Sequence, residues 1–184
     1  MISGDLMGIK IIDGAATDLS DLIAEASKKY SIEFGVREDA GPKNIMKAII
    51  NEFGYDSPGI PVTDAMRKYM AYKGYPLKKS TKYIKIPARP FISTGIEENL
   101  NEIFDLLDNL TAQVHAKKTY KTKGFLKKEM EQIGELVIKQ IQDYMNSNNA
   151  KANHPMTIEG KGHSNPLVGS GELRDALGYE IIRK

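Results

Sequence analysis

The chain contains no cysteine. That excludes disulfides and thiolate metal sites, and it suits assembly in a reducing cytoplasm. No apolar run approaches the roughly 20 residues needed to span a bilayer. The start, Met1-Ile2-Ser3-Gly4-Asp5-Leu6, lacks the basic and long apolar stretches of a signal peptide. Arginine is scarce: the cations are 21 lysines and five arginines. Arginine reads guanine edges and grips phosphates through paired bonds, so its scarcity weighs against sequence-specific DNA binding. The net charge of +2 is close to balance.

The usual catalytic signatures are also missing. His115, His154 and His163 are the only histidines. His154 and His163 flank a segment containing Glu159, but their spacing matches no zinc pattern. Gly160-Lys161-Gly162 lacks the upstream glycine of a P-loop and the Ser/Thr after its lysine. Ser170 lies between two glycines, yet Val168 stands where a nucleophile elbow needs its first glycine. No nucleophile, base and orienting group can be assembled, so a small hydrolase is disfavoured and no cofactor or metal is expected. The pairs Glu97/Glu98 and Asp105/Asp108 read as the solvated face of a helix.

What the chain does have is ordinary globular content: 184 residues, 41% hydrophobic and 27% charged, enough for one domain. Met7–Ile12 reads as a short strand. Leu19, Leu22, Ile23 and Ala26 have helical spacing after a capping Asp18. Tyr30–Val36 alternates as a half-buried strand. Asn44 opens a helix with Ile45, Ala48, Ile49 and Phe53 expected inward, stopped by Gly54. Residues 55–81 read as an insertion: a Pro/Gly loop from Tyr55 to Pro61, then a short helix capped by Thr63. Lys82–Ile86 alternates as a strand. Thr94-Gly95-Ile96-Glu97 has capping-box spacing, opening a helix whose stripe is Ile96, Leu100, Ile103, Leu107, Leu110 and Val114. A second long helix covers roughly Thr122 to Asn146. Ser147–Gly162 is polar and reads as an exposed, mobile loop. Gly178–Ile182 reads as a closing strand. The expected class is α+β: a small curved sheet, mixed or antiparallel, packed by two long helices plus short ones.

Two phrases stand apart from this background. In Ile86-Pro87-Ala88-Arg89-Pro90-Phe91 the prolines fix φ and stiffen the exit from a strand. Ala88 is small where the backbone passes closely, and Phe91 is large enough to anchor the next helix. Arg89 is suited to bracing a carboxylate or backbone carbonyls at a subunit contact; the alternatives are an internally paired arginine with a structural role in the subunit and an exposed one with no special role. In Pro166-Leu167-Val168-Gly169-Ser170-Gly171-Glu172-Leu173-Arg174 the glycines permit a sharp turn, and Ser170 can cap the short helix that follows. Glu172 suits the positive end of that helix. Leu173 and Leu177 share one face and can clip the turn to the core.

Taken in order, Glu52-Phe53-Gly54, Ile86–Phe91 and Pro166–Leu173 resemble the neck and tail-completion proteins of tailed bacteriophages. The matched order covers most of the chain from residue 30 onward. Two positions depart from that pattern: Gly169 stands where an acidic residue is common, and the insertion through Asp64–Met70 is absent from the shortest members. The resemblance implies a non-enzymatic virion protein, assembled in the host cytoplasm. It would form a homo-oligomeric ring, a hexamer, that completes the tail and joins it to the head. The implied partners are further copies of itself, adjacent neck, connector and tail-tube proteins, and DNA in the lumen, with no membrane. It implies assembly roles for Ile86, Pro87, Ala88, Arg89, Pro90, Phe91, Ser170, Gly171, Leu173 and Arg174.

One basic stretch offers a competing reading. Lys117, Lys118, Lys121 and Lys123, followed by Lys127 and Lys128, enclose Tyr120. Sequence-neutral phosphate contact would suit the wall of a DNA channel or a general nucleic-acid-binding module. The alternative is a solvated turn between helices.

Overall fold

The computed structural model describes residues 30–117 and 125–183. The strand expected at 7–12 and the helix expected at 18–26 lie outside the described residues, as do Lys118, Lys121 and Lys123. In chain order the elements are β1 (Tyr30–Val36), α1 (Gly41–Phe53), β2 (Tyr55–Pro61), α2 (Asp64–Tyr72), β3 (Tyr83–Ile86), α3 (Ile92–Glu97), α4 (Leu100–Lys117), α5 (Phe125–Asn146), α6 (Pro155–Lys161), α7 (Glu172–Asp175) and β4 (Leu177–Arg183). The class is α+β.

The strands form two separate antiparallel ladders, β1 with β4 and β2 with β3, instead of one curved sheet. In the first, the alternation from Tyr30 does what period two requires. Ile32 faces Ile181 and Phe34 faces Tyr179 across the ladder, and Ile32 and Phe34 are buried. In the second, the Pro/Gly run expected to be a loop is a strand. Its prolines cannot donate ladder bonds, and the register shifts between Tyr55 and Ile60. Such a strand suits a short, irregular edge and offers little for a further strand to join.

Helix α5 organises the core. Ile133, Val137, Ile141 and Met145 recur every four residues and are buried, giving one apolar stripe. It packs against β4, β1, α3 and α4. From α4, Ile103 and Leu110 reach the same cluster, as do Leu167, Leu173 and Leu177 from the C-terminal stretch. Gly95 lets α3 lie close on α5: a Cβ there would stand 2.9 Å from the Ile141 Cα. Phe91 is wholly buried. Phe91→Ala should cost about 3–5 kcal/mol, read as a lowered midpoint in chemical denaturation.

Three local expectations are corrected. Thr94 does not open a helix; α3 begins at Ile92, ends at Glu97, and a break at residues 98–99 separates it from α4. In α1 the inward residues are Ala48 and Glu52, while Ile49 and Phe53 point outward, Phe53 at 62% exposure. The polar run 147–162 contains helix α6, with His154 as its cap: His154 Nδ1 accepts from the Met156 N–H at 3.3 Å. The His154 ring also meets Tyr75 edge-on, centroids 5.2 Å apart.

Candidate functional site

The outward end of α1, the first phrase and the second phrase enclose a groove of about 580 Å³. Its sides are apolar where Met46, Ile50, Ile86, Leu167 and Val168 line it. Its charged groups are Lys43, Lys47, Arg89, Lys161, Glu172 and Arg174.

Glu52 does not line the groove; it is buried and joins α1 to the stretch that follows the first phrase. It follows Asn51 on α1, and its carboxylate faces the start of α3. Oε2 accepts from the N–H groups of Phe91 and Ile92 at 2.9 and 3.0 Å. Oε1 accepts from the Ser93 N–H at 3.1 Å and its hydroxyl at 2.8 Å. A helix start leaves such N–H groups without intrahelical partners, and a carboxylate there forms strong charge-assisted bonds. The capping group is therefore supplied by α1, about forty positions upstream, and not by a neighbour in sequence. Just after it, Gly54 has φ +75°, and a Cβ would stand 2.7 Å from the Ala88 nitrogen, so this crossing of α1 and the first phrase favours glycine.

Arg89 turns inward. Its backbone N–H donates to the Asn51 carbonyl. Its guanidinium donates through Nε to the Lys151 carbonyl at 2.6 Å and through a terminal nitrogen to the Ala152 carbonyl at 3.2 Å. Burial pushes it below its usual value, though a guanidinium stays charged at neutral pH. Of the three readings left open by the sequence, these bonds match the internally paired arginine.

The second phrase is held from two directions. Asn165 donates from Nδ2 to the carbonyls of Met145 and Asn146, at the end of α5. Its Oδ1 accepts from the N–H groups of Leu167 and Val168. Lys161 donates to the Pro166 and Val168 carbonyls, each at 3.0 Å. Burial, followed by the nearby Arg89 charge, pushes its ammonium below the ordinary lysine value. Ser170 is not the cap of α7. That position belongs to Gly171, with φ 88° and no side-chain cap. Glu172 meets Lys47 at 3.2 Å. The Lys47 hydrogen bond and charge, then the Ser170 hydroxyl, hold its carboxyl below the usual range. Leu173 and Leu177 are buried. Arg174 contacts Asp175 at 3.0 Å, and its carbonyl accepts from Gln142 on α5.

The first and second phrases thus meet at one groove, with the Glu52 phrase joined to the first of them directly. Ile86, Arg89 and residues 166–174 line the groove, Phe91 is core, and Ala88 and Pro90 are exposed and do not line it. Of the basic stretch, the described side chains of Lys127 and Lys128 do not line the groove. Lys127 and Lys128 are exposed on α5, and Lys127 lies 3.8 Å from Glu131. Glu52 and Asn165 do not line the groove but hold the segments around it, and neither is among the expected site residues. The sequence signal for Glu52 was its position inside the Glu-Phe-Gly phrase. Asn165 precedes Pro-Leu, where an Asn side chain often bonds the backbone two residues on.

Among the described residues, no group of three His, Asp or Glu side chains could hold a metal ion. No described helix is long and apolar enough to cross a membrane. Comparison with protein-family models, curated proteins and solved structures finds no match for the chain. Chemically, Arg89 and Lys161 hold backbone carbonyls, and Lys47 and Arg174 hold carboxylates. The arrangement is a braced frame around an apolar groove.

Proposed function

We propose that the chain is a structural subunit of a tailed-phage or prophage-derived particle, forming a homo-oligomeric ring that completes the tail and joins it to the head. One observation carries this reading: the phrases behind the resemblance fold together, as Glu52 of the Glu-Phe-Gly phrase caps the helix start at Phe91 of the Ile86–Phe91 phrase. Phrases that share one physical joint form a structural unit more specific than separate short matches. The outer surface suits an assembling protein. Met46, Ile49 and Phe53 make an exposed apolar stripe along α1, and Met46 borders the groove. Exposed apolar stripes of this kind mark contact surfaces.

The test is made in particles. Removal of the chain should give DNA-filled heads and separate, uncompleted tails, with restoration by the parent chain supplied in trans. Complete, infectious particles without the chain would end the head–tail joining reading.

A further inference from the structure

One lobe of the molecule stands off the core. Residues 55–86, the β2–α2–β3 unit, contribute no side chain to the core cluster. Its two strands pair with each other, and Arg67 closes it internally by donating to the Lys78 and Thr81 carbonyls. The lobe is basic. Against Asp56 and Asp64 it carries Arg67 and six lysines: Lys68, Lys73, Lys78, Lys79, Lys82 and Lys85. All six lysines are exposed, and among the described residues none is in an ion pair. Tyr69, Tyr72 and Tyr83 are exposed among them, Tyr72 at 84%.

The next stretch of chain has the opposite sign. Residues 90–116 contain no lysine or arginine and five carboxylates: Glu97, Glu98, Glu102, Asp105 and Asp108. All five are exposed, and among the described residues none is in an ion pair. Glu97 and Glu98 stand at the break before α4, and within α4 Glu102, Asp105 and Asp108 recur at intervals of three. Like charges at these spacings repel along a helix. Within one subunit no described ion pair joins the two surfaces, so each keeps its own repulsion. Contact between copies would relieve both at once.

We propose that the basic lobe of one copy docks on the acidic face of α3–α4 of the next, head to tail. Such a contact joins different patches on the two copies, so repetition closes a ring or runs on as a filament. This inference rests on the ring reading and gives that ring its interface. Lysines interleaved with exposed tyrosines also suit single-stranded nucleic acid. The acidic surface carried by the same chain favours a second copy, because complementary patches steer and fix register.

The experiment is a charge swap. One variant carries Lys79→Glu, Lys82→Glu and Lys85→Glu; the other carries Glu98→Lys, Asp105→Lys and Asp108→Lys. Among the described residues none of these side chains makes a hydrogen bond, and circular dichroism checks that each variant is folded. Self-association of the full chain at low salt is read by sedimentation. Each variant alone should associate at least roughly tenfold more weakly than the parent. An equal mixture of the two should recover pairing, because the reversed lobe of one meets the reversed helix of the other. Parent rings that neither reversal weakens overturn the interface while leaving the ring reading intact. A parent that stays monomeric at every concentration and salt also overturns the interface, and particle deletion then decides the joining role separately. Loss of binding to an oligothymidine probe on lobe reversal, with self-association unchanged, assigns the lobe to nucleic acid and overturns the proposal.

Discussion

At the scale of the residue, Arg89 shows how a suggestive side chain acquires a specific role. Flanked by two prolines, it invited an assembly reading. The fold turns its guanidinium onto the carbonyls of Lys151 and Ala152. Removing it leaves two carbonyls without their charged donor, and bonds to charged groups contribute about 1.5–3 kcal/mol. Arg89→Ala should therefore lower the denaturation midpoint of the isolated subunit. A midpoint equal to the parent's would show that the brace contributes nothing. Glu172 offers a test by titration. Its folded value is depressed, so its contact with Lys47 stabilises above the ordinary carboxyl value of 4.5 and is lost as pH falls through the folded value. The pair is exposed, so salt should weaken the effect. In an NMR titration, Lys47→Ala should move the Glu172 carboxyl back up. An unmoved titration would exclude Lys47 as the cause.

At the scale of the element, the sequence was readable where one periodicity decides the outcome. β1, β3, β4 and α5 follow the alternation or stripe in their residues, and Phe91 is buried where a strand exit meets a helix. It was not readable where the partner lies far along the chain. In α1 the spacing of Ile45, Ala48, Ile49 and Phe53 identifies an apolar face but not which way it points. A carboxylate satisfied by N–H groups about forty residues away turned Glu52 inward and Phe53 out. The capping box at Thr94 failed for the same reason: the α3 start was already capped. The polar run 147–162 lacks apolar periodicity, yet a short helix forms there under His154. The β2–β3 lobe is the element most separable from the rest. Tyr55 pairs with Ile86, so its two ends meet. Replacing residues 56–85 with a short Gly/Ser turn should keep the helical circular dichroism spectrum and cooperative unfolding. A molten or insoluble product would mean that the lobe is part of the folding unit.

At the scale of the whole molecule, the distribution of charge matters more than its sum. A net charge of +2 conceals a basic lobe and an acidic helix that follow one another in the chain. In a head-to-tail contact every copy both gives a lobe and receives one. A copy without its lobe can receive but cannot give. Mixed with the parent, it should end each growing row, so that closed rings give way to short open oligomers as its fraction rises. An isologous pairing through the α1 stripe would behave differently, because lobeless and complete copies would pair equally well. Native mass spectrometry of mixtures distinguishes the two. Oligomers carrying a single lobeless copy, at one end, match the head-to-tail contact. Random incorporation of lobeless copies into full-sized rings would show that the lobe plays no part in joining them.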